Sequence, residues 1–371
     1  MSVPLKMKFS PALHSQKLIT IDPEKMSKNK RAIIQRTLSK PHEWKYESLN
    51  FDVMLTKVYK DRIRYRGDFF MEWIAYALIG ICIGFIMAIM AHLEALLVHE
   101  KKLITDYIID GDSDNLVLGW LFYSGISALL VAIASSMTVY MAPGASGSGN
   151  AELIAYLNGV NYPKIIGFNT LVVKIFGVLL AVSGGLCVGK EGPLAHIGAN
   201  IGAAIVYFPL PRFESLRNDV TKRSLIAAGL SAGVSAAFAA PIGGTLFAYE
   251  MSKPNEFWKF SVLWKSFFSC AIAVFFSAVF GRAVRGEPIN EVAPSELKFG
   301  QLNVESPRMG STVAAIILGI ICGFLGAFFV VVNSQMANFR KRFIQTKCTK
   351  VFEAVLFAFV TSTAFYWVPK Y

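Results

Sequence analysis

Hydrophobic residues in this chain come in long runs, and polar residues gather in the gaps between them. Seven runs, at about residues 69–99, 116–142, 166–188, 225–249, 257–284, 311–332 and 351–368, are long enough for a hydrocarbon core of roughly 30 Å. They predict membrane helices, so the fold class is all-α and the protein a polytopic membrane protein. The run MEWIAYALIGICIGFIMAIMAHLEALL reads as one long helix. Glycines four apart, at Gly80 and Gly84, Gly198 and Gly202, Gly229 and Gly233, and Gly319 and Gly323, predict faces where a neighbouring helix comes close to the backbone. Two runs are interrupted: APGASGSGNAE and GKEGPLAHIGANIG set Gly, Ser and Pro directly against apolar helix. Helices broken at membrane depth follow. Backbone exposed there is tolerated only where it is buried in protein or lines an aqueous cavity, so the breaks point to a substrate site.

Two polar stretches set the organisation. Residues 1–68 are a polar tail without the apolar core of a signal peptide, and the first membrane helix is expected to serve as the insertion signal. Residues 288–310, beginning PINEVAPSELKFGQLNVESPRM, form a loop between a first membrane half, 69–287, and a later group, 311–371.

Composition agrees with a bilayer protein: of 371 residues 54% are hydrophobic and 17% charged, unusual for a soluble domain. The net charge of +12 is concentrated at the start, with 15 Lys or Arg against 7 Asp or Glu up to Asp68. The excess predicts a cytosolic tail. A site for anionic lipid or sorting machinery is the sharper reading of it, an ordinary solvated tail the simpler one. Arg212, Arg217, Lys222, Arg223 and the basic residues between 340 and 350 are expected in cytosolic loops. The cysteines, Cys82, Cys187, Cys270, Cys322 and Cys348, show no paired spacing and read as small buried hydrophobes rather than disulfides or metal ligands. The five histidines form no H-x-x-x-H cluster. No metal, cofactor, catalytic constellation or nucleic-acid partner is expected, nor an enzyme.

The stretch GGLCVGKEGP, from Gly184 to Pro193, fits the start of a phosphate-binding loop, G-x-x-x-x-G-K-[ST], at Gly184, Gly189 and Lys190. That motif needs a Ser or Thr hydroxyl after the lysine for Mg²⁺, and Glu191 stands there instead. The stretch ends one apolar run and opens another near Pro193, a residue favoured in the first turn of a helix. It is therefore a helix N-terminus inside the bilayer, where unpaired N–H groups and the helix dipole attract an anion. Glu191 can be that anion, held by the groups that would bind a mobile halide and released on protonation: a gate built from one side chain. The plain alternative is a salt bridge with a neighbour such as Lys190. SGSGNAELIAYLNG repeats the design, with Gly144, Gly147 and Gly149 allowing close backbone approach and the Ser148 hydroxyl able to donate to an anion. Taken alone, a serine such as Ser148 is more often just a helix N-cap. Together the two sites outline an anion path.

At these residues the sequence resembles the CLC family of chloride channels and proton/chloride antiporters. GKEGP (189–193) is the family's gating-glutamate motif, and GSGNAE (147–152) is similar to its G-S-G-I-P-E; YLNGV and AGLSAGVSAAFAAPIGGTLFAYE (228–250) follow in the family's order. KYESLNFD and the lysine of GKEGP look like the intracellular, endolysosomal branch. The resemblance implies a homodimer with one pore per subunit in an intracellular membrane, with chloride between helix N-termini. It places the external gate at Glu191 and central chloride coordination at Ser148, with Gly147, Gly149, Gly189, Lys190 and Gly192 around the ion. A serine rather than a proline at 148 implies chloride preferred over nitrate.

Three departures bear on function. Asn150 and Ala151 replace the family's Ile and Pro, so the helix start after Ser148 can be aimed differently. Exchangers of the family carry two consecutive glutamates after APIGG, the second accepting the proton, whereas here Glu250 is followed by Met251. That favours a voltage-gated-type chloride channel, with a proton/chloride antiporter as the alternative. Lastly, the family's G-x-F-x-P loop, pore tyrosine and CBS pair do not follow before Tyr371, which raises a truncated second half and a third reading, a non-conducting or regulatory fragment.

Overall fold

A computed structural model describes residues 47–48, 66–109, 115–161, 164–208, 216, 219–252, 260–288 and 309–368. Nearly all of the basic tail, most of the 288–310 loop, Arg212 and Arg217 lie outside the described residues. The first helix, α1 (Arg66–Ile109), is a single element of 44 residues. At 1.5 Å per residue it runs roughly 66 Å, about twice a hydrocarbon core, and so crosses steeply tilted or projects beyond the bilayer. Next, α2 (Leu116–Ser136) passes into a π-helical turn, Met137–Met141, and a 3-10 turn, Pro143–Ala145. The short α3 (Asn150–Leu157) leads to a two-residue strand, β2 (Val160–Asn161), antiparallel to β1 (Glu47–Ser48). Then come α4 (Phe168–Ser183), α5 (Glu191–Val206), α6 (Asp219–Phe238), α7 (Pro241–Ser252), α8 (Phe260–Arg285), α9 (Met309–Phe343) and α10 (Lys347–Trp367).

Among the described residues, five segments are long and apolar enough to cross a membrane: Phe70–Ile109, Leu116–Met141, Ser261–Arg285, Ser311–Phe343 and Lys347–Trp367. The two remaining runs do not form single crossing helices. Run 166–188 becomes α4, 16 residues long, and a loop. Run 225–249 is cut between α6 and α7, where Ala239 takes a left-handed φ of 50° and Pro241 opens α7.

The core forms where glycines let backbones touch. A Cβ on Gly198 of α5 would strike the Gly229 carbonyl of α6, one on Gly202 the Leu225 carbonyl, and one on Gly233 the Leu194 carbonyl. Gly80 and Gly84 seat α1 on α8 in the same way, a Cβ at Gly80 falling 2.7 Å from the Ser269 carbonyl. Tyr76, Ile79, Leu194, Ile197, Leu225 and Cys270 fill the buried cluster between these four helices, and a Lys265–Glu72 ion pair joins α8 to α1. α10 packs on α2 through hydrogen bonds from Trp120 Nε1 to Thr363 Oγ1, 3.1 Å, and from the Tyr366 hydroxyl to the Leu116 carbonyl, 2.8 Å. The expected contact face at Gly319 and Gly323 meets no described neighbour: both face open space, and the assessed side chains of α9 are exposed along its length. The cysteines are free, but only Cys270 is buried and Cys82 half-buried. Cys187 lies in the loop between α4 and α5, Cys322 on the outward-facing α9 and Cys348 at the start of α10, and all three are exposed, against the burial expected of them.

Candidate functional site

The two breaks meet. Gly147 and Gly149 have φ of 63° and 83°, left-handed values at which a side chain is strained, and they turn the chain so that α3 begins directly after Gly149, its N-cap. Ser148 stands exposed between them, its Oγ only 3.4 Å from the Asn150 N–H, too long for a strong cap. On the other side, Gly185, with a φ of 78°, turns the chain out of α4, and α5 begins at Glu191. A Cβ on Gly192 would fall 2.8 Å from the Ser148 Cβ and 3.3 Å from Asn150 Nδ2. The starts of α3 and α5 therefore touch, and two sets of N–H groups free of intrahelical partners lie side by side.

Glu191 is half-buried and folds back over its own loop, its Oε2 lying where a Cβ on Gly189 would be. It is not paired with Lys190. The Lys190 ammonium instead meets the Glu94 carboxylate of α1 at 3.0 Å. Behind Gly149 the ring of His196 fills the space a side chain would need; its Nε2 lies 3.1 Å from the Ile165 carbonyl, and its Nδ1 is buried without a partner among the described residues. Asn200, one turn on, accepts from the Gly167 N–H at 2.8 Å and so ties the start of α4 to α5.

Sequence reasoning missed Lys174. This residue of α4 is 2% exposed, and its ammonium donates to the carbonyls of Ala145, at 2.9 Å, and Gly147, at 2.6 Å. It holds the Ser148 loop from beneath and places a positive charge at membrane depth. The signal was present, a single lysine inside the apolar TLVVKIFGVLLAVS, but an isolated intramembrane cation does not reveal which loop it reaches. Thr138, Gly147, Ser148, Lys174, Gly189 and Pro193 are among the residues lining one cavity of about 340 Å³. At roughly 30 Å³ per water, it has room for an anion and part of its hydration shell. Of the sequence-selected residues, Gly147, Ser148 and Gly189 face this space and the Glu191 carboxylate lies against Gly189. Gly149 backs onto His196, Gly192 onto Ser148, and the Lys190 ammonium is turned to α1. A buried ammonium, two helix N-termini and a hydroxyl converge on it, an arrangement that favours negative charge.

Glu250 and Met251 lie apart, at the end of α7. Glu250 is exposed, while Met251 packs against the apolar cluster of Leu153, Leu157, Ile226 and Leu230, together with Ile166.

Residues 130–371 match the family model described as voltage gated chloride channel. The chain is 34% identical over 338 residues to the H(+)/Cl(-) exchange transporter 7 of Homo sapiens, an alignment covering 86% of this chain and 42% of that protein. It is 32% identical over 340 residues to chloride channel protein A of Dictyostelium discoideum, covering 87% of this chain and 38% of that one. The chain thus spans less than half the length of these curated relatives. The crystal structure of a slow cyanobacterial Cl-/H+ antiporter superposes with a TM-score of 0.64 at 22% identity, over 78% of this chain and 63% of that one. A eukaryotic CLC transporter gives 0.57 at 23%, over 78% and 48%; at such identities the likeness is one of fold. With the family match covering most of the chain, and the glycine turns, Glu191 and the broken helices in place, the chain belongs to the voltage-gated chloride channel (CLC) family.

Proposed function

We propose that this chain carries the anion-binding half of a proton-coupled chloride transporter. The observation that supports this most directly is the meeting of the Ser148 and Glu191 loops beside one cavity floored by the Lys174 ammonium. In this reading the N–H groups around Gly147, Ser148 and Gly149, with those of Gly189, Lys190 and Gly192, bind chloride. The Glu191 carboxylate competes for the same positive field. Protonation removes its charge and frees the site, so one group links a proton to the passage of an anion. Exchange is preferred to a channel because the mammalian relatives at 34% identity bear the name H(+)/Cl(-) exchange transporter 7, while chloride channel protein A, at 32%, covers a similar share of this chain. A homodimer and an intracellular membrane follow from the family resemblance and belong to the same proposal.

The channel reading has one observation of its own. Met251, partly exposed, packs against apolar side chains, and its thioether cannot carry a proton where the family's exchangers place a second glutamate. The two readings separate when the full-length protein is reconstituted in liposomes, a chloride gradient is imposed with the voltage clamped, and lumenal pH is recorded. Proton movement that reverses with the chloride gradient is expected. Chloride current at its Nernst potential without any pH change would overturn exchange in favour of the channel.

A further inference from the structure

The segment that delivers Glu191 is fastened at both ends to one helix. At its start, the Ser183 carbonyl that ends α4 accepts from the Lys101 ammonium at 2.9 Å; Lys101 also donates to Ser127 Oγ at 3.3 Å and lies 4.4 Å from the centre of the Tyr123 ring. At its end, Lys190 is paired with Glu94 at 3.0 Å, the two side chains 32% and 24% exposed. Glu94 and Lys101 are seven residues apart on α1, two turns, and so share a face. The Lys101 bond holds backbone, whereas the Glu94 bond holds charge. Lys190 directly precedes Glu191, whose carboxylate is folded back over Gly189. The ammonium on its flexible four-carbon stem is therefore within a short swing of that carboxylate and is kept from it by Glu94.

We infer that Glu94 is a positioning residue that sets the pH at which Glu191 opens the anion path, by sequestering the Lys190 ammonium. The inference rests on the reading of Glu191 as a proton-dependent gate. Among the described residues, the other charged or titratable groups around the two loops are Lys174 of α4, bound to the Ala145 and Gly147 carbonyls, Glu152 in the first turn of α3, whose charge acts on Lys174, Cys187 in the loop before α5, His196 of α5, turned to Gly149, and Lys101 of α1. None of them touches the Glu94–Lys190 pair, so their fields act alike in every variant below. The sign follows directly. Without Glu94, the released ammonium stabilises ionised Glu191, and a lower pH is needed to protonate it. Without Lys190, the Glu94 carboxylate stands uncompensated near Glu191 and disfavours its ionisation, so a higher pH suffices.

The test is chloride flux through the full-length protein in liposomes as external pH is varied. Glu94→Gln should lower the midpoint of activation by roughly half to one pH unit, an ion-pair effect reduced by partial exposure. Lys190→Gln should raise it, the double variant should return near the parent, and Glu94→Asp, which keeps the pair, should stay there. If Glu94→Gln does not reconstitute, Glu94→Ser is read in its place, with the same downward shift expected and an upward or absent shift overturning the proposal. Shifts of the same sign in both single variants, or a parent-like profile in both, would overturn the proposal, because a purely structural clamp gives no opposed signs. Glu191→Gln is run beside them. If it flattens the profile while the Glu94 and Lys190 variants leave it in place, only the pairing is wrong; if it keeps the parent profile, the gate reading falls and takes the pairing with it.

Discussion

At the scale of single residues, the proposed chemistry rests on a hydroxyl and a carboxylate held by glycine turns. Ser148 stands between Gly147 and Gly149, and both keep left-handed backbone, so the orientation of Ser148 is a property of its neighbours more than of its own side chain. Replacing Ser148 with Pro deletes a donor, which costs a halide more than a polyatomic anion that can turn another oxygen to the remaining N–H groups. The nitrate-to-chloride permeability ratio should rise severalfold; an unchanged ratio would mean that Asn150 and Ala151 have turned Ser148 from the path. For the gate, Glu191→Gln should mimic permanent protonation and leave flux largely independent of external pH, a loss of pH response read directly in liposomes. Ser148 and Glu191 were both legible in the sequence, because Gly-rich breaks inside apolar runs are rare and costly. Lys174 was not, because its meaning lies in the carbonyls it reaches.

At the scale of elements, the pairing of α5 with α6 decides where Glu191 can be. Gly198, Gly202, Gly229 and Gly233 interlock so closely that an added Cβ meets backbone carbonyl on the opposite helix, and backbone cannot swing aside as a long side chain does. Gly229→Val should therefore destabilise the fold by about 1–3 kcal/mol, the range for overpacking a tight core. It should shorten the thermal half-life in detergent markedly. Gly319→Val on α9, where a Cβ meets nothing within 4 Å, should leave that half-life close to the parent. Equal losses in both variants would show that the effect is helix propensity, not packing. The same glycine spacing thus serves contact in α5 and α6 and open surface in α9. Spacing alone could not tell these apart, since it names a face without naming a neighbour.

At the scale of the whole molecule, α1, α5, α6 and α8 make a packed block, with α3 and α4 holding the anion loops against it, α10 docked on α2, and α9 turning an apolar surface outward. The loops lie at helix starts, the exposed Glu250 and apolar-packed Met251 at the end of α7. A proton route that used the Met251 position would need water where the structure has leucine, isoleucine and methionine. Met251→Glu should therefore give at most a small gain in proton transport per chloride, measured by the lumenal pH assay, because a carboxylate there is costly without a hydrated path. Full stoichiometric coupling created by that single change would show that the inner route is already wet.

Much of this protein is dictated locally. Run length against bilayer thickness makes the helices, and Gly, Ser and Pro at membrane depth make the breaks, since an apolar solvent leaves unpaired backbone no other refuge. Glycines at 147 and 149 and a carboxylate at 191 mark, in the sequence alone, the two loops of the proposed anion site. Local sequence does not say which break faces which. That depends on the α5–α6 interlock, which brings the Ser148 and Glu191 loops to one cavity, and on long side chains whose ends lie many residues away: Lys174 beneath the Ser148 loop, His196 behind Gly149, and Glu94, which takes the Lys190 ammonium that the alternative reading of the sequence would pair with Glu191. Charge pairs answer to distance in space, and in a bundle of long helices the nearest carboxylate in space is 96 residues away in the chain.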